Sequence, residues 1–200
     1  AAGVFAALRS GRWADRVITV AASLGIALPN FWVALLLAYV VGVRWRLLPA
    51  VWPAGGPTSL AGWFEALLLP SLALGCAAAA AIARQTRSSV IGVIQREHIR
   101  TALAKGLSVR QVVGRHVLRN AAIPVVTLMG FQVSALLGGS VFVEAVFNIP
   151  GLGMYGVDAI LRGNTPALLG FVLVTALAVV VVNLVLDIAY AWLNPKVRVA

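Results

Sequence analysis

Four long apolar stretches, separated by shorter segments rich in polar residues, dominate the hydropathy pattern of this chain. They run over Val17–Val43, Ala66–Ala83, Ala121–Val143 and Ala167–Leu186. A helix needs roughly 20 apolar residues to cross the hydrocarbon core of a bilayer, so each stretch predicts a transmembrane helix. The pattern therefore predicts an all-α, polytopic transmembrane helical bundle with four visible spans, forming one domain over residues 1–200.

Composition and charge support a membrane protein and exclude other classes. The chain is 61% hydrophobic and 11% charged, with a mean hydropathy of +0.96, far outside the range of soluble domains. Its net charge of +10 comes from basic residues that alternate with long uncharged stretches. This arrangement indicates a charge difference between the two sides of a membrane, and not a surface for nucleic acid.

The positions of the basic residues predict the orientation of the spans. Of the 16 Lys and Arg residues, 13 lie in residues 1–16, 84–120 and 194–200. The other three are Arg44, Arg46 and Arg162, in the two segments on the opposite side of the predicted bundle. Because cytoplasmic loops are enriched in Lys and Arg, both visible termini and residues 84–120 are predicted to be cytoplasmic. Pro29, Pro70 and Pro124 fall within or beside the spans and predict that these helices bend and pack in a bundle.

Residues 84–120, which we call the central segment, are predicted to form two short helices. Apolar residues recur at helical spacing in the first, and Gly106 is well placed to end it in a left-handed conformation. Ser108 and Gln111 form a capping-box pattern that begins the second helix. Its predicted apolar face contains Val109, Val112, Val113 and Val117, while Arg110, Arg115 and Arg119 face water or a partner. Such helices must dock on lipid headgroups, on the bundle, or on a cytosolic partner.

The stretch RTALAKGLSVRQVVGRHVLRNAAIPVVT, from Arg100 to Thr127, resembles the coupling loop of a known permease class. It is similar to the loop of the dipeptide/oligopeptide/nickel class of ATP-binding cassette permeases, in the first permease of the pair. Arg100 stands where sugar permeases have a glutamate, which also favours the peptide class. The resemblance implies that the ATPase-coupling residues are Arg100, Thr101, Ala102, Lys105, Gly106, Ser108, Arg110, Arg115 and His116.

The same resemblance extends along the whole chain in the order of the family. It includes GRWADR, ALPNFWVALLL, LLPSLALG, GGSVFVEAVFNIPGLG and NLVLDIAYAWLNPKVR. It implies the type I importer fold, a bacterial inner-membrane location and import of di- or oligopeptides. The implied partners are a second, homologous permease, two cytosolic ATP-binding subunits that hold ATP and Mg, and an extracytoplasmic solute-binding protein. The start AAGVFAAL is similar to the end of the family's second helix, so two further helices are expected upstream.

Alternatives within and outside this family remain open at this point. Nickel or another small solute could replace peptide, and a stand-alone channel would need no ATPase. An intramembrane protease is excluded because the sequence has no nucleophile motif, no paired membrane aspartates and no HExxH. It also has no phosphate-binding loop, so a non-catalytic subunit with no cofactor of its own is expected. His98 and His116 have no clustered carboxylates, so no metal site is predicted.

Several polar residues of the third span and its outer end are candidates for the transport pathway. Gln132, Ser134 and Ser140 either line the pathway or make hydrogen bonds between packed helices. Glu144 begins the segment that ends in the turn-forming residues 149–153. By resemblance this segment faces the outer gate and the binding protein, and the alternative is a rigid connector.

Overall fold

A computed structural model describes residues 1–193, and the side chains of residues 103, 110 and 189–193 lie outside that description. The predicted all-α fold is confirmed for the described residues. The predicted cytoplasmic C-terminal end, residues 194–200, lies outside them. The helices are α1 (Ala2–Leu8), α2 (Trp13–Ala27), α3 (Asn30–Leu37), α4 (Leu60–Ile94), α5 (Glu97–Ala104), α6 (Val109–Gln111), α7 (Leu118–Phe147), α8 (Leu152–Leu161) and α9 (Thr165–Leu193).

Helices α4, α7 and α9 are each long and apolar enough to cross a membrane. They contain the predicted spans Ala66–Ala83, Ala121–Val143 and Ala167–Leu186, respectively. Pro70 and Pro124 lie inside α4 and α7, and both helices continue through them. In lipid, backbone groups that leave a helix find no water to bind, which favours continuing the helix beyond a proline. Three of the four predicted spans are therefore continuous helices.

The prediction that Val17–Val43 forms one continuous helix is wrong, because this stretch is two helices. The bent pair together is long and apolar enough for one broken span, which would be the fourth. Helix α2 ends at Ala27, and α3 begins at Asn30 and continues with π-helical geometry over Ala38–Arg44. The two parts meet at an angle of 101°. Pro29 has no N–H and disfavours helical geometry in the residue before it. The helix therefore breaks at Pro29, which is extended with φ −62° and ψ 139°.

The chain divides into two compact units. Within the described residues, the first unit consists of Ala1–Leu24, Ala79–Gln132 and residues 181–193, and the second of Gly25–Ala78 and Val133–Val180. Each unit has its own cluster of buried apolar side chains. In the first these are Ala7, Val90, Val93, Ile99, Val112, Val117 and Ala121. In the second they are Ala34, Leu69, Ala73, Val143 and Phe147.

The central segment contains less loop than the sequence predicts. Helix α4 extends to Ile94, so the first part of the segment continues the preceding span. Helix α5 is the first of the two predicted short helices. The second is not separate: α6 passes through a π-helical stretch, Val112–Val117, directly into α7. The second short helix that the sequence predicts is therefore continuous with the helix of the third span.

Candidate functional site

The turn between α5 and α6 has the geometry that the sequence predicts. Gly106 adopts φ +82°, in the left-handed region that side chains rarely enter. The amide of Leu107 donates to the carbonyl of Ala102 at 3.4 Å, which is the long hydrogen bond of a Schellman motif. A Cβ at Gly106 would meet no other atom within 4 Å, so the backbone angle alone selects glycine there.

The capping box at the start of α6 is also confirmed. The hydroxyl oxygen of Ser108 accepts from the amide of Gln111 at 3.4 Å, and Gln111 Oε1 accepts from the amide of Ser108 at 3.2 Å. The box satisfies two backbone donors that the first turn of a helix leaves free. The Schellman motif at Gly106 and the capping box at Ser108 thus fix the directions in which α5 ends and α6 begins.

The apolar side of the central segment packs on the chain's own helices. Ile99 of α5 is 1% exposed, and it shares the buried cluster of the first unit with Val112 and Val117. The cluster also contains Val90 and Val93 from the end of α4. The apolar face of these helices therefore docks on the chain's own helices, which is one of the three partners that the sequence left open.

The predicted apolar face of the second helix is wrong at Val109, which is 65% exposed. The π-helical stretch explains the difference, since its i→i+5 hydrogen bonds bring residues five apart onto one face. Val112 and Val117 are five apart and both are buried. Val109 lies outside this register and begins the outward side of the segment.

Most of the predicted coupling residues lie on the outward side. Arg100, Thr101, Lys105, Ser108 and Arg115 are exposed, and Ala102 and His116 are half-buried. The side chain of Arg110 lies outside the described residues. A depression of about 490 Å³ opens on this side, lined by Leu107, Gln111, Gly114, Arg115 and His116. The lining combines basic, amide and apolar groups, which suits contact with another protein.

The candidate pathway residues on α7 have different surroundings. Ser134 is exposed and Gln132 is half-buried. The hydroxyl of Ser140 donates to the carbonyl of Leu137 at 3.0 Å, so it bonds to its own helix. A role of Gln132 and Ser134 in the pathway stays a prediction.

Glu144, by contrast, has a specific bonding role. Its Oε2 accepts a hydrogen bond from the amide of Met154 at 2.8 Å. Met154 is the third residue of α8, whose N-cap is Gly151, a residue without a side chain to cap with. A carboxylate at this position satisfies a free amide and interacts favourably with the positive end of the helix dipole. Glu144 therefore caps α8 from a distance of ten residues, and it supports the connector reading of this segment.

The sequence did not predict an ion pair between Asp15 and Arg87. The guanidinium of Arg87 binds the carboxylate of Asp15 with two hydrogen bonds, Nε to Oδ1 and Nη2 to Oδ2, the second 2.7 Å long. Asp15 is 3% exposed and sits at the start of α2, while Arg87 lies on α4. The residues are 72 positions apart, so no periodicity could relate them. The only local signal is an acidic residue within an otherwise basic terminal segment.

Comparison with known proteins identifies relatives along almost the whole chain. Over 198 residues it is 44% identical to the glutathione transport system permease protein GsiC of Escherichia coli (strain K12). The protein of the same name from Shigella dysenteriae serotype 1 (strain Sd197) is also 44% identical over 198 residues. The matched region is 99% of this chain and 62% of the length of each relative, so the chain spans about three fifths of these relatives.

A family description matches the chain from one end to the other. The match to "Binding-protein-dependent transport system inner membrane component" covers residues 1–199. It agrees with the all-α fold and with the helices that are long enough to cross a membrane. This protein therefore belongs to the family of inner-membrane components of binding-protein-dependent transport systems.

Proposed function

We propose that this chain is a permease subunit that forms the transmembrane pathway of an ATP-driven importer for di- or oligopeptides. Family membership and the relatives named for glutathione transport support this proposal, because glutathione is a small peptide. The subunit itself is non-catalytic, since the chain has no phosphate-binding loop and ATP and Mg belong to partner subunits. It lies in the bacterial inner membrane, with the central segment in the cytoplasm.

The observation that carries the coupling mechanism is the division of the central segment into two sides. The buried side chains of α5 and of the π-helical stretch pack against α1, the end of α4 and the start of α7. The outward side of the central segment presents the exposed side chains of Arg100, Lys105 and Arg115, and Arg115 also lines the depression of about 490 Å³. A cytosolic ATPase that binds this outward side would move a segment already packed into the bundle. Closure of the ATPases on ATP then biases the bundle between two states of access.

Other chains complete the transporter in this proposal. No residue of the most apolar window of α9 is buried within the described part of the chain. Lipid and a second, homologous permease are proposed to cover this helix, because an apolar surface of this size is unstable in water. Two ATP-binding subunits occupy the cytoplasmic side and a solute-binding protein occupies the opposite side.

The decisive test changes the turn at Gly106 in the assembled transporter reconstituted in liposomes. A left-handed backbone penalises a Cβ by about 1–2 kcal/mol, and a β-branched side chain is disfavoured further. Gly106→Val is therefore expected to rotate α6 relative to α5, so that uptake of peptide is lost and the ATPase subunits co-purify weakly. Gly106→Asn is expected to retain more uptake, because Asn tolerates this conformation.

Gly92→Ala is the matched control, since Gly92 lies on α4 in the same unit and its added Cβ would meet nothing within 4 Å. This variant is expected to transport normally. Normal ATP-dependent uptake by Gly106→Val would refute the coupling role of the central segment. Solute flux that continues without any ATPase subunit would instead favour a channel. If a nickel-loaded binding protein stimulates ATP hydrolysis and a peptide-loaded one does not, the substrate is nickel and not a peptide.

A further inference from the structure

The ion pair between Asp15 and Arg87 lies outside the proposed coupling surface, yet it joins the elements on which that surface rests. We propose that this pair is a positioning link that makes α1 and the start of α2 follow α5 and the π-helical stretch Val112–Val117 during transport. The inference rests on the proposed function, because it needs the central segment to move with the ATPases.

The first argument is the geometry of the pair. Arg87 forms two parallel hydrogen bonds to the carboxylate, an arrangement that fixes direction as well as distance. The amide of Gly11 donates a third hydrogen bond to Oδ2 of Asp15 at 3.0 Å. The Arg87 side chain is 28% exposed and that of Asp15 is 4% exposed. The turn before α2 is therefore bound through one carboxylate to a defined point on α4.

The second argument is a backbone contact close to the same point. A Cβ added to Gly3 would overlap the carbonyl oxygen of Ala83 and would lie 2.8 Å from Thr86 Cβ and 3.1 Å from the amide nitrogen of Arg87. Helix α1 therefore approaches the turn of α4 that carries Arg87 as closely as backbones allow. Ala7, one turn further along α1, belongs to the buried cluster of this unit.

The third argument is the position of Arg87 relative to α5 and the π-helical stretch Val112–Val117. Val90 and Val93 follow Arg87 on α4, and both are buried in the cluster that contains Ile99 and Val112. A displacement of α5 and of the π-helical stretch is thus transmitted to this part of α4 by tight packing, since close-packed interiors transmit strain. Arg87, within one turn of Val90, then carries the displacement to Asp15 and α2.

The energetics of buried ion pairs also indicate that this pair fixes the relative position of two helices and adds little to the stability of the fold. Replacing a buried ion pair with apolar residues of similar volume is often neutral or stabilising, whereas removing one partner leaves a buried charge. An apolar pair at these positions would hold the helices together but could slide. The forked hydrogen bonds of Arg87 resist sliding, which is the property that a positioning link needs.

The test uses the full permease in its assembled transporter, reconstituted in liposomes, and measures solute imported per ATP hydrolysed. Asp15→Leu combined with Arg87→Met removes both charges without leaving either one alone. This double variant is expected to assemble and hydrolyse ATP, while solute imported per ATP falls roughly tenfold, a usual size for coupling between sites. Arg87→Lys keeps the charge but loses the fork, and its ratio is expected to lie between wild type and the double variant.

The control is the exposed ion pair between Asp158 of α8 and Arg162, the C-cap of that helix, with a comparable distance of 2.8 Å. Asp158→Leu combined with Arg162→Met is expected to leave the ratio unchanged. A purely structural role for Asp15 and Arg87 would lower the amount of complex but leave the ratio of the remaining complex at the wild-type value, which would overturn the proposal.

Two further comparisons keep the outcome decisive. If the double variant does not assemble, a wild-type ratio in Arg87→Lys overturns the proposal and a reduced ratio supports it. If Gly106→Val transports normally in the same assay, the proposed coupling function fails. If Gly106→Val is uncoupled while the double variant keeps the wild-type ratio, only the link between Asp15 and Arg87 is refuted.

Discussion

The carboxylate of Glu144 caps a helix that begins eight residues after it, because its Oε2 lies 2.8 Å from the amide nitrogen of Met154. Two glycines make room for this carboxylate. A Cβ on Gly151 would lie 2.6 Å from Glu144 Oε2, and one on Gly153 would lie 2.9 Å from the same oxygen. The three residues therefore form one interdependent corner between α7 and α8.

This corner predicts a measurable loss of stability when the cap is removed. Glu144→Ala is expected to destabilise the protein by about 1 kcal/mol, the usual effect of losing an N-cap. Glu144→Gln retains an acceptor oxygen and is expected to lose less. The midpoint of thermal unfolding in detergent can be followed by reaction of Cys76, the single and half-buried cysteine, with a fluorescent thiol reagent. Equal midpoints for Glu144→Ala and wild type would contradict the cap.

The same corner predicts that two substitutions are not additive. Gly151→Ala is expected to destabilise by about 1–3 kcal/mol, as overpacking does, because its Cβ displaces the Glu144 carboxylate. In a protein that already carries Glu144→Ala, the added Cβ meets no carboxylate and the effect is expected to be much smaller. Gly138→Ala is the control, since a Cβ there meets nothing within 4 Å. Additive effects in the cycle would show that Gly151 and Glu144 act independently.

The contact of Gly3 predicts that α1 is sensitive to the smallest added side chain. Gly3→Ala would overlap the carbonyl oxygen of Ala83, and a backbone atom cannot rotate away. We expect α1 to separate from α4, so that trypsin cleaves at the exposed Arg9 and Arg12 several times faster than in wild type. Gly75→Ala, which would meet nothing within 4 Å, should leave the cleavage rate unchanged. An unchanged rate in Gly3→Ala would exclude this close contact.

The capping box of α6 gives a smaller effect that is confined to the central segment. Ser108→Ala removes the side-chain acceptor for the Gln111 amide, which is expected to weaken the start of α6 by about 1 kcal/mol. Ser108→Thr keeps an acceptor and serves as the control. Amide hydrogen exchange at residues 109–112 measures the change directly, and faster exchange in Ser108→Ala alone is the expected result. Equal protection in both variants would argue against the cap.

The orientation of the chain is tested by labelling from one side of the membrane. In a Cys76→Ser background, Ser108→Cys is expected to react with an impermeant thiol reagent only from the cytoplasmic side, and Thr58→Cys only from outside. Both positions are exposed, so neither is protected by the fold. The expectation follows from the unequal distribution of Lys and Arg. Labelling of Ser108→Cys in intact cells would reverse the proposed orientation.

Local features of the fold could be read from the sequence because they depend on neighbouring residues. Long apolar runs predicted α4, α7 and α9, and the left-handed Gly106 and the box of Ser108 and Gln111 followed from single residues and short spacings. A membrane-spanning helix depends on about 20 consecutive apolar residues, and a helix end depends on a few neighbouring residues. The sequence by itself therefore determines both kinds of feature.

Other features were decided only by tertiary structure. The partners of Asp15 and Glu144 lie 72 and 10 residues away, and helix packing selects them without leaving a periodic signal. Each of three apolar stretches contains a proline, but the helix breaks only at Pro29 and continues through Pro70 and Pro124. The presence of a proline did not predict this difference. The exposure of Val109 depends on a π-helical stretch that shifts the register of the buried valines. Each of these outcomes reflects which surfaces meet in three dimensions, and that is set by packing between distant segments rather than by local propensity.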